Sequence, residues 1–188
     1  MKIIAKGAEA EIVEKDWNGR KAILKMRVKK RYRIEELDKR LRISRTKRES
    51  KVLFAAKMAG IRCPILYDAD MEKTEILLEK IEGERIRELL QKNVKKAEKY
   101  LPLIGVELAR LHNANIIHGD FSTANVMVGK KGEITIIDFG LSDFSASIED
   151  KAMDLLIFKK STNGREFALL LKGYSKASNN PKGIIRQL

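Results

Sequence analysis

IIHGDFSTANVMV, residues 116–128, sets two apolar runs on either side of a short polar loop. The loop carries Asp120 and Asn125, five positions apart. A carboxylate and a carboxamide between segments that want burial are costly unless they are paired or hold a cation. One loop Asp alone means little, because Asp and Asn are common turn residues.

The sequence after the loop supplies a third group. Val126-Met127-Val128 predicts a short strand, Gly129-Lys130-Lys131-Gly132 a turn, and residues 134–137 the returning strand. Asp138-Phe139-Gly140 follows directly. A hairpin folds its ends together, so Asn125 and Asp138 are expected side by side, with Asp120 on the loop feeding the same end. Oxygen groups of this kind suit a hard divalent cation such as Mg²⁺.

Upstream, residues 2–28 read as an antiparallel meander with a tight turn at Asn18-Gly19. Residues 20–28 alternate, with Ala22, Leu24, Met26 and Val28 on one side and Ile23, Lys25 and Arg27 on the other. Residues 35–59 predict a helix that stops at Gly60, with Pro64 beyond. Glu49 shares a face of it with Val52, Leu53 and Ala56. A carboxylate on an apolar stripe needs a cation, and Lys25 lies on the strand just before. Two more strands are expected at 67–69 and 74–80, and helices at 84–92 and 95–113. Leu101, Ile104, Leu108 and Leu111 form the apolar stripe of the last.

Composition narrows the class. The chain has 188 residues, 44% of them hydrophobic and 35% charged, which describes a folded globular chain large enough for one core or two small lobes. No apolar run approaches the ~20 residues of a membrane helix. The opening MKIIAKGAE is too short in apolar residues for a secretory signal. Cys63 is the only cysteine, which fits a reducing cytoplasm, and two histidines beside it do not make a zinc site. His112, at a helix end, is expected to act as a cationic cap, and His118 to be structural. Of the net charge of +13, residues 20–51 contribute 15 Lys and Arg against four acids. Charge so localised favours a polyanion-binding face over general solubility.

These residues together resemble a known family. His118-Gly119-Asp120 with Asn125 resembles the H-x-D-x-x-x-x-N catalytic loop of the protein-kinase superfamily, Asp138-Phe139-Gly140 its D-F-G motif, and Ala22-Ile23-Leu24-Lys25 its V-A-I-K strand. Several features depart from the common pattern. Only the first glycine of the Gly-rich loop is kept, in Gly7-Ala8-Glu9-Ala10; position 119 is Gly where typical kinases have Arg; and only 48 residues follow Gly140, without an A-P-E motif. The chain is more similar to the compact RIO kinases, and closer still to the kinase subunit of the KEOPS complex. K-G-A-E-A, R-T-x-x-E at residues 45–49, I-E-G at 81–83, I-D-F-G-L-S at 137–142 and E-D-K-A-x-D-L at 149–155 carry that resemblance.

The resemblance implies a single α+β domain with a small two-lobed protein-kinase-like fold: an antiparallel β-sheet N-lobe over residues 1–80 and a reduced helical C-lobe over 81–188. It implies ATP and Mg²⁺ as cofactors. Lys25 would contact phosphates while paired with Glu49, Asp120 would be the catalytic base, and Asn125 and Asp138 would bind metal. Gly7, Ala8, Glu9 and Ala10 would cover the nucleotide. Residues 79–81, with Glu79 and Ile81, would form the hinge facing adenine, Leu78 would be the gatekeeper, and Asp154 would brace the catalytic loop. The implied activity is Ser/Thr protein phosphorylation and ATP hydrolysis in support of threonylcarbamoyladenosine synthesis in tRNA. The implied partners are the other KEOPS subunits, chiefly the one that transfers the threonylcarbamoyl group, and tRNA, with which the basic segment 20–51 is compatible. Two rival readings are a small-molecule phosphotransferase of the aminoglycoside or choline type and a pseudokinase scaffold bridging tRNA and a protein. The first needs a helical insert this chain has no room for, and intact catalytic positions oppose the second.

Overall fold

The structure, a computed structural model, describes residues 2–7 and 10–188. Its first half is built on β1 (Lys2–Lys6), β2 (Ala10–Trp17), β3 (Arg20–Arg27), the long helix α1 (Glu35–Met58), β4 (Leu66–Asp70) and β5 (Glu75–Glu79). The five strands form one sheet in the order β1-β2-β3-β5-β4, antiparallel throughout. Asn18 and Gly19 both take positive φ, 51° and 75°, as a two-residue turn of the primed type requires, and the turn sets Trp17 opposite Arg20. Tyr67 stacks on Trp17 with ring centroids 4.5 Å apart.

Helix α1 keeps the expected inner face, burying Thr46, Glu49, Val52, Leu53 and Ala56. Gly60, at φ 76°, ends it. Strand β3 has an unexpected burial pattern. Lys25 and Arg27 are buried, whereas Leu24 and Met26 on the other side are only half-buried. The side of β3 that carries the two cations faces Glu49 of α1.

The second half opens with β6 (Glu84–Arg85) and α2 (Ile86–Lys92). Residues 84 and 85 are therefore strand rather than helix, paired with β8 (Val126–Val128), which also pairs with β9 (Ile134–Ile136). The helix expected over 95–113 is two, α3 (Val94–Glu98) and α4 (Leu101–Asn113). Pro102 sits in the first turn of α4, where its missing N–H costs nothing, and so marks a helix start. Strand β7 (Ile116–Ile117) pairs with β10 (Asp143–Phe144), and α5 (Ile148–Lys160), α6 (Gly164–Ala177) and α7 (Pro181–Ile185) complete the chain. One continuous core runs from Val52 and Leu53 of α1 through the stripe of α4 to Ile184 of α7.

Helices α4 and α6 approach so closely that two glycines are obligatory at the contact. A Cβ on Gly105 would lie 2.1 Å from the Leu170 carbonyl oxygen, and one on Gly173 only 1.8 Å from that of Pro102. Alanine is the better helix former by about 1 kcal/mol. Gly173→Ala should nevertheless lower the Tm, since forcing these backbones apart costs about 1–3 kcal/mol or more. Thermal denaturation checks it, and an unchanged or raised Tm would contradict the packing.

Candidate active site

Four charged groups meet where β3, α1 and the end of β9 converge. Lys25 Nζ lies 2.7 Å from Glu49 Oε1 and 2.6 Å from Asp138 Oδ1. Arg27 Nη2 reaches the other Glu49 oxygen, Oε2, at 2.6 Å. Burial alone would lower the Lys25 pKa, but the attraction of Glu49 and Asp138 outweighs it and holds the ammonium above the ordinary lysine value. Burial would likewise raise Asp138, and Lys25 overcomes it, keeping that carboxyl below the usual range. Asp138 adopts φ 62°, a left-handed conformation that a non-glycine residue rarely takes. Gly140 leaves the room: a Cβ there would stand 2.9 Å from Lys25 Nζ.

The loop after β7 is held from behind. Asp154 of α5 accepts the His118 and Gly119 backbone N–H groups at 2.7 and 2.8 Å. The buried His118 ring donates from Nε2 to the Ile137 carbonyl at 3.0 Å and accepts the Asp120 N–H at Nδ1, 3.3 Å away. It packs against Phe121 and Phe139, a structural role as expected. His112 is not the cationic cap its position at the end of α4 suggested. It is buried between the Tyr174 hydroxyl (2.8 Å) and Asp154 (3.1 Å). Burial, opposed by Asp154, holds its pKa below the ordinary histidine value and so disfavours the charged ring.

Gly119 accounts for the departure at that position. Its φ is 77°, and a Cβ would lie 2.3 Å from the Leu141 carbonyl oxygen. Gly119→Arg, which restores the common kinase residue, should therefore destabilise the loop, by about 1–3 kcal/mol for the strained backbone alone. A gain in activity and unchanged stability on making it would contradict this account.

Asn125 and Asp138 come together as the hairpin required: the Ile137 N–H donates to the Asn125 carbonyl at 2.9 Å. Asn125 Nδ2 is committed to Asp120, donating at 2.9 Å both to its carboxylate and to its carbonyl oxygen. The amide oxygen Oδ1 is thus left as the acceptor. Asn125 and Asp138 line one end of a cavity of about 320 Å³, whose apolar part is formed by Ile12, Ile23, Leu78, Ile81 and Met127. Glu79 is also on its wall. A second hollow of about 320 Å³ shares Lys25 and Asp138 and adds Gly7, Ala10, Arg27, Asp120 and Gly140. Ala8 and Glu9, expected over the nucleotide, lie outside the described residues; Gly7 donates its N–H to the Ala10 carbonyl across them at 2.9 Å. The donor set fits Mg²⁺. Among the described residues there is no cluster of three or more His, Cys, Asp or Glu that could cage a metal. Two oxygen side chains, with water and phosphate completing the shell, are what Mg²⁺ commonly takes.

The basic segment is only partly a free surface. Arg42 is bound to Asp38 at 2.7 Å and to the Thr74 hydroxyl at 2.8 Å, so it braces α1 rather than facing a ligand. Arg48 pairs with Asp143 of β10 at 2.9 Å. Lys39, Arg40, Lys47 and Lys51 of α1 are exposed. Among the described residues no helix is long and apolar enough to cross a membrane.

Sequence reasoning missed Arg27. The available signal was its position two residues after Lys25 on the same side of β3, which puts it within reach of the same glutamate.

A five-stranded antiparallel sheet with one buried Lys–Glu pair, over a helical lobe that presents an Asp and Asn loop to the same cleft, defines the protein-kinase-like class. The RIO domain matches residues 15–156, and the chain belongs to the RIO-domain family, in the branch that holds the Bud32 subunits. The KEOPS complex subunit Bud32 of Pyrococcus abyssi is 38% identical over 97% of this chain and 89% of its own length. The EKC/KEOPS subunit bud32 of Dictyostelium discoideum is 34% identical over 99% of this chain and 79% of its own. A probable bifunctional tRNA threonylcarbamoyladenosine biosynthesis protein of Methanobrevibacter smithii is 43% identical over 97% of this chain. The chain spans 34% of that relative's length, and 29% and 33% of those of two similar methanogen proteins. In structure it resembles the Rio2 kinase of Chaetomium thermophilum, solved as an ADP/Mg²⁺-phosphoaspartate complex. The TM-score is 0.70, with 98% of this chain and 65% of that one covered at 15% identity, a likeness of fold.

Proposed function

We propose that the chain is an ATP- and Mg²⁺-dependent Ser/Thr protein kinase and ATPase of the cytoplasm, acting as the kinase subunit of a KEOPS complex that supports threonylcarbamoyladenosine synthesis in tRNA. The observation that carries this reading is Lys25 held between Glu49 and Asp138 at 2.7 and 2.6 Å, where an apolar cavity meets the hollow lined by Arg27 and Asp120.

In this reading adenine occupies the apolar cavity against Leu78, Glu79 and Ile81. Lys25 turns its ammonium from Asp138 to the phosphates while Glu49 keeps its position. Asn125 and Asp138 would hold Mg²⁺, which neutralises phosphate charge when bound. Asp120, exposed at the mouth and oriented by Asn125, accepts the proton of the attacking hydroxyl. Gly7, Ala8, Glu9 and Ala10 would cover the phosphates. The domain divides at residues 80 and 81 into the lobe that carries Lys25 and the lobe that carries Asp120. The partners are the other KEOPS subunits, chiefly the threonylcarbamoyl-transferring one, which agrees with the names of the bifunctional relatives.

The test is incubation with Mg²⁺ and γ-labelled ATP, with and without the partner subunits and tRNA. Label on protein or released as phosphate supports the reading, and no movement of label under any condition overturns it. For tRNA, the exposed stripe of Arg40, Lys47 and Lys51 is the contact surface. Reversing those three charges should flatten the slope of log affinity against log salt by about 2, at roughly 0.7–0.9 per phosphate contact. Binding that keeps its salt slope after the reversal would remove this face from consideration.

A further inference from the structure

Arg27 has no place in the reading above, yet it is among the most buried charged groups of the molecule. Its side chain is 4% exposed, and its guanidinium rests on Glu49 Oε2 at 2.6 Å. Glu49, itself 1% exposed, spends one oxygen on each of two cations. A buried carboxylate needs only one cation for neutrality, so the second is a feature to be explained. Among the described residues Lys25, Arg27, Glu49 and Asp138 form a balanced set of two positive and two negative charges.

That balance changes when the site is used. If Asp138 turns its charge to a metal, the groups left around Lys25 are Glu49 and Arg27. Without Arg27, Lys25 and Glu49 would cancel, and the ammonium would be held by a full carboxylate beside it. With Arg27 present, Glu49 is shared and the trio keeps one positive charge directed at the hollow that Arg27 itself lines with Gly7, Asp120 and Gly140. The backbone fixes the arrangement as well. Arg27 ends β3, and its N–H donates to the carbonyl of the buried Thr74 at 3.2 Å. The Thr74 hydroxyl in turn accepts from Arg42 of α1. Strand β3 and helix α1 are thus also tied through Thr74, independently of the Glu49 carboxylate.

We propose that Arg27 is a positioning residue for phosphoryl transfer: by sharing Glu49 it releases Lys25 to bind the nucleotide phosphates and supplies the positive charge that Lys25 alone would lose to Glu49. The inference rests on the kinase reading and deepens it. Arg27 has its guanidinium committed to Glu49 Oε2, and in this proposal it acts through Glu49 and Lys25.

The experiment measures Mg²⁺-ATP affinity by calorimetry, together with single-turnover phosphoryl transfer and Tm, for the full chain and for Arg27→Met, Arg27→Lys, Glu49→Gln and the double variant Arg27→Met with Glu49→Gln. Arg27→Met should weaken Mg²⁺-ATP binding by at least about tenfold, the factor that loss of one charge-assisted contact carries. Arg27→Lys should recover most of it. In the Glu49→Gln background, Arg27→Met should cost far less affinity than in the wild type, because Arg27 acts only through that carboxylate. An Arg27→Met protein with a lowered Tm but affinity and rate within twofold of wild type overturns the proposal and leaves a purely structural brace. So does an equal loss of affinity in both backgrounds. Wild-type protein that binds no Mg²⁺-ATP overturns the kinase reading itself, a result distinct from either.

Discussion

Asp120→Ala should reduce phosphoryl transfer by about 10²–10⁴-fold, the usual worth of a positioned general base, while leaving the protein folded. Both halves of the prediction follow from the surroundings of the carboxylate. It is exposed, and its hydrogen bond in the structure is from Asn125 Nδ2 at 2.9 Å. Asn125 keeps its second acceptor, the Asp120 backbone carbonyl at 2.9 Å, after the substitution. The loop stays anchored by Asp154 on the His118 and Gly119 amides. Tm should therefore stay within a degree or two of wild type. Single-turnover transfer from labelled ATP, with thermal denaturation alongside, separates the two effects. A variant that keeps its rate would mean that Asp120 is not the base, and one that keeps cellular function without turnover would favour a scaffold.

Glu49→Gln should be the most destabilising single substitution at the site. It leaves the shape nearly unchanged but removes the negative charge shared by Lys25 and Arg27, whose side chains are 9% and 4% exposed. Lys25 retains Asp138, whereas Arg27 loses its buried counter-charge. Removing one partner of a buried ion pair costs about 3–5 kcal/mol. At roughly 2–4 °C per kcal/mol for a domain of this size, the Tm should fall by about 10 °C. Urea unfolding at pH 7 measures the same quantity. A loss under 1 kcal/mol would mean that the cluster is far better solvated than its burial indicates.

The parts of this site legible in the sequence were those fixed by local chemistry. The Asn18-Gly19 turn, the hairpin after Asn125 and the stop at Gly60 each depend on a few adjacent residues whose backbone preferences are strong. The Lys25–Glu49 pair was legible because a carboxylate on an apolar helix stripe demands a cation, and the strand next to it offered one. Arg27, on the same side of β3, shares that carboxylate, and a pairing of one charge with one charge leaves it out.

Other features depend on packing between distant segments. That β5 lies between β3 and β4 is a matter of sheet pairing. Gly105 and Gly173 are ordinary helix glycines until α4 and α6 are brought into contact. His112 looked like a helix-end cation because nothing near it in sequence announces Tyr174 or Asp154, 62 and 42 residues away. The break between α3 and α4 falls just before Pro102, a residue that favours the first turn of a helix, whereas the apolar stripe that follows it marks only α4.

The most direct test of the central claim is a calorimetric titration of the wild-type chain and Asp138→Ala with ATP, each with Mg²⁺ and with a chelator. The account predicts saturable binding that needs both the metal and the Asp138 carboxylate, and that weakens sharply when either is withdrawn. Equal binding in all four conditions, or none in any, would contradict a Mg²⁺-nucleotide site between Lys25, Asn125 and Asp138.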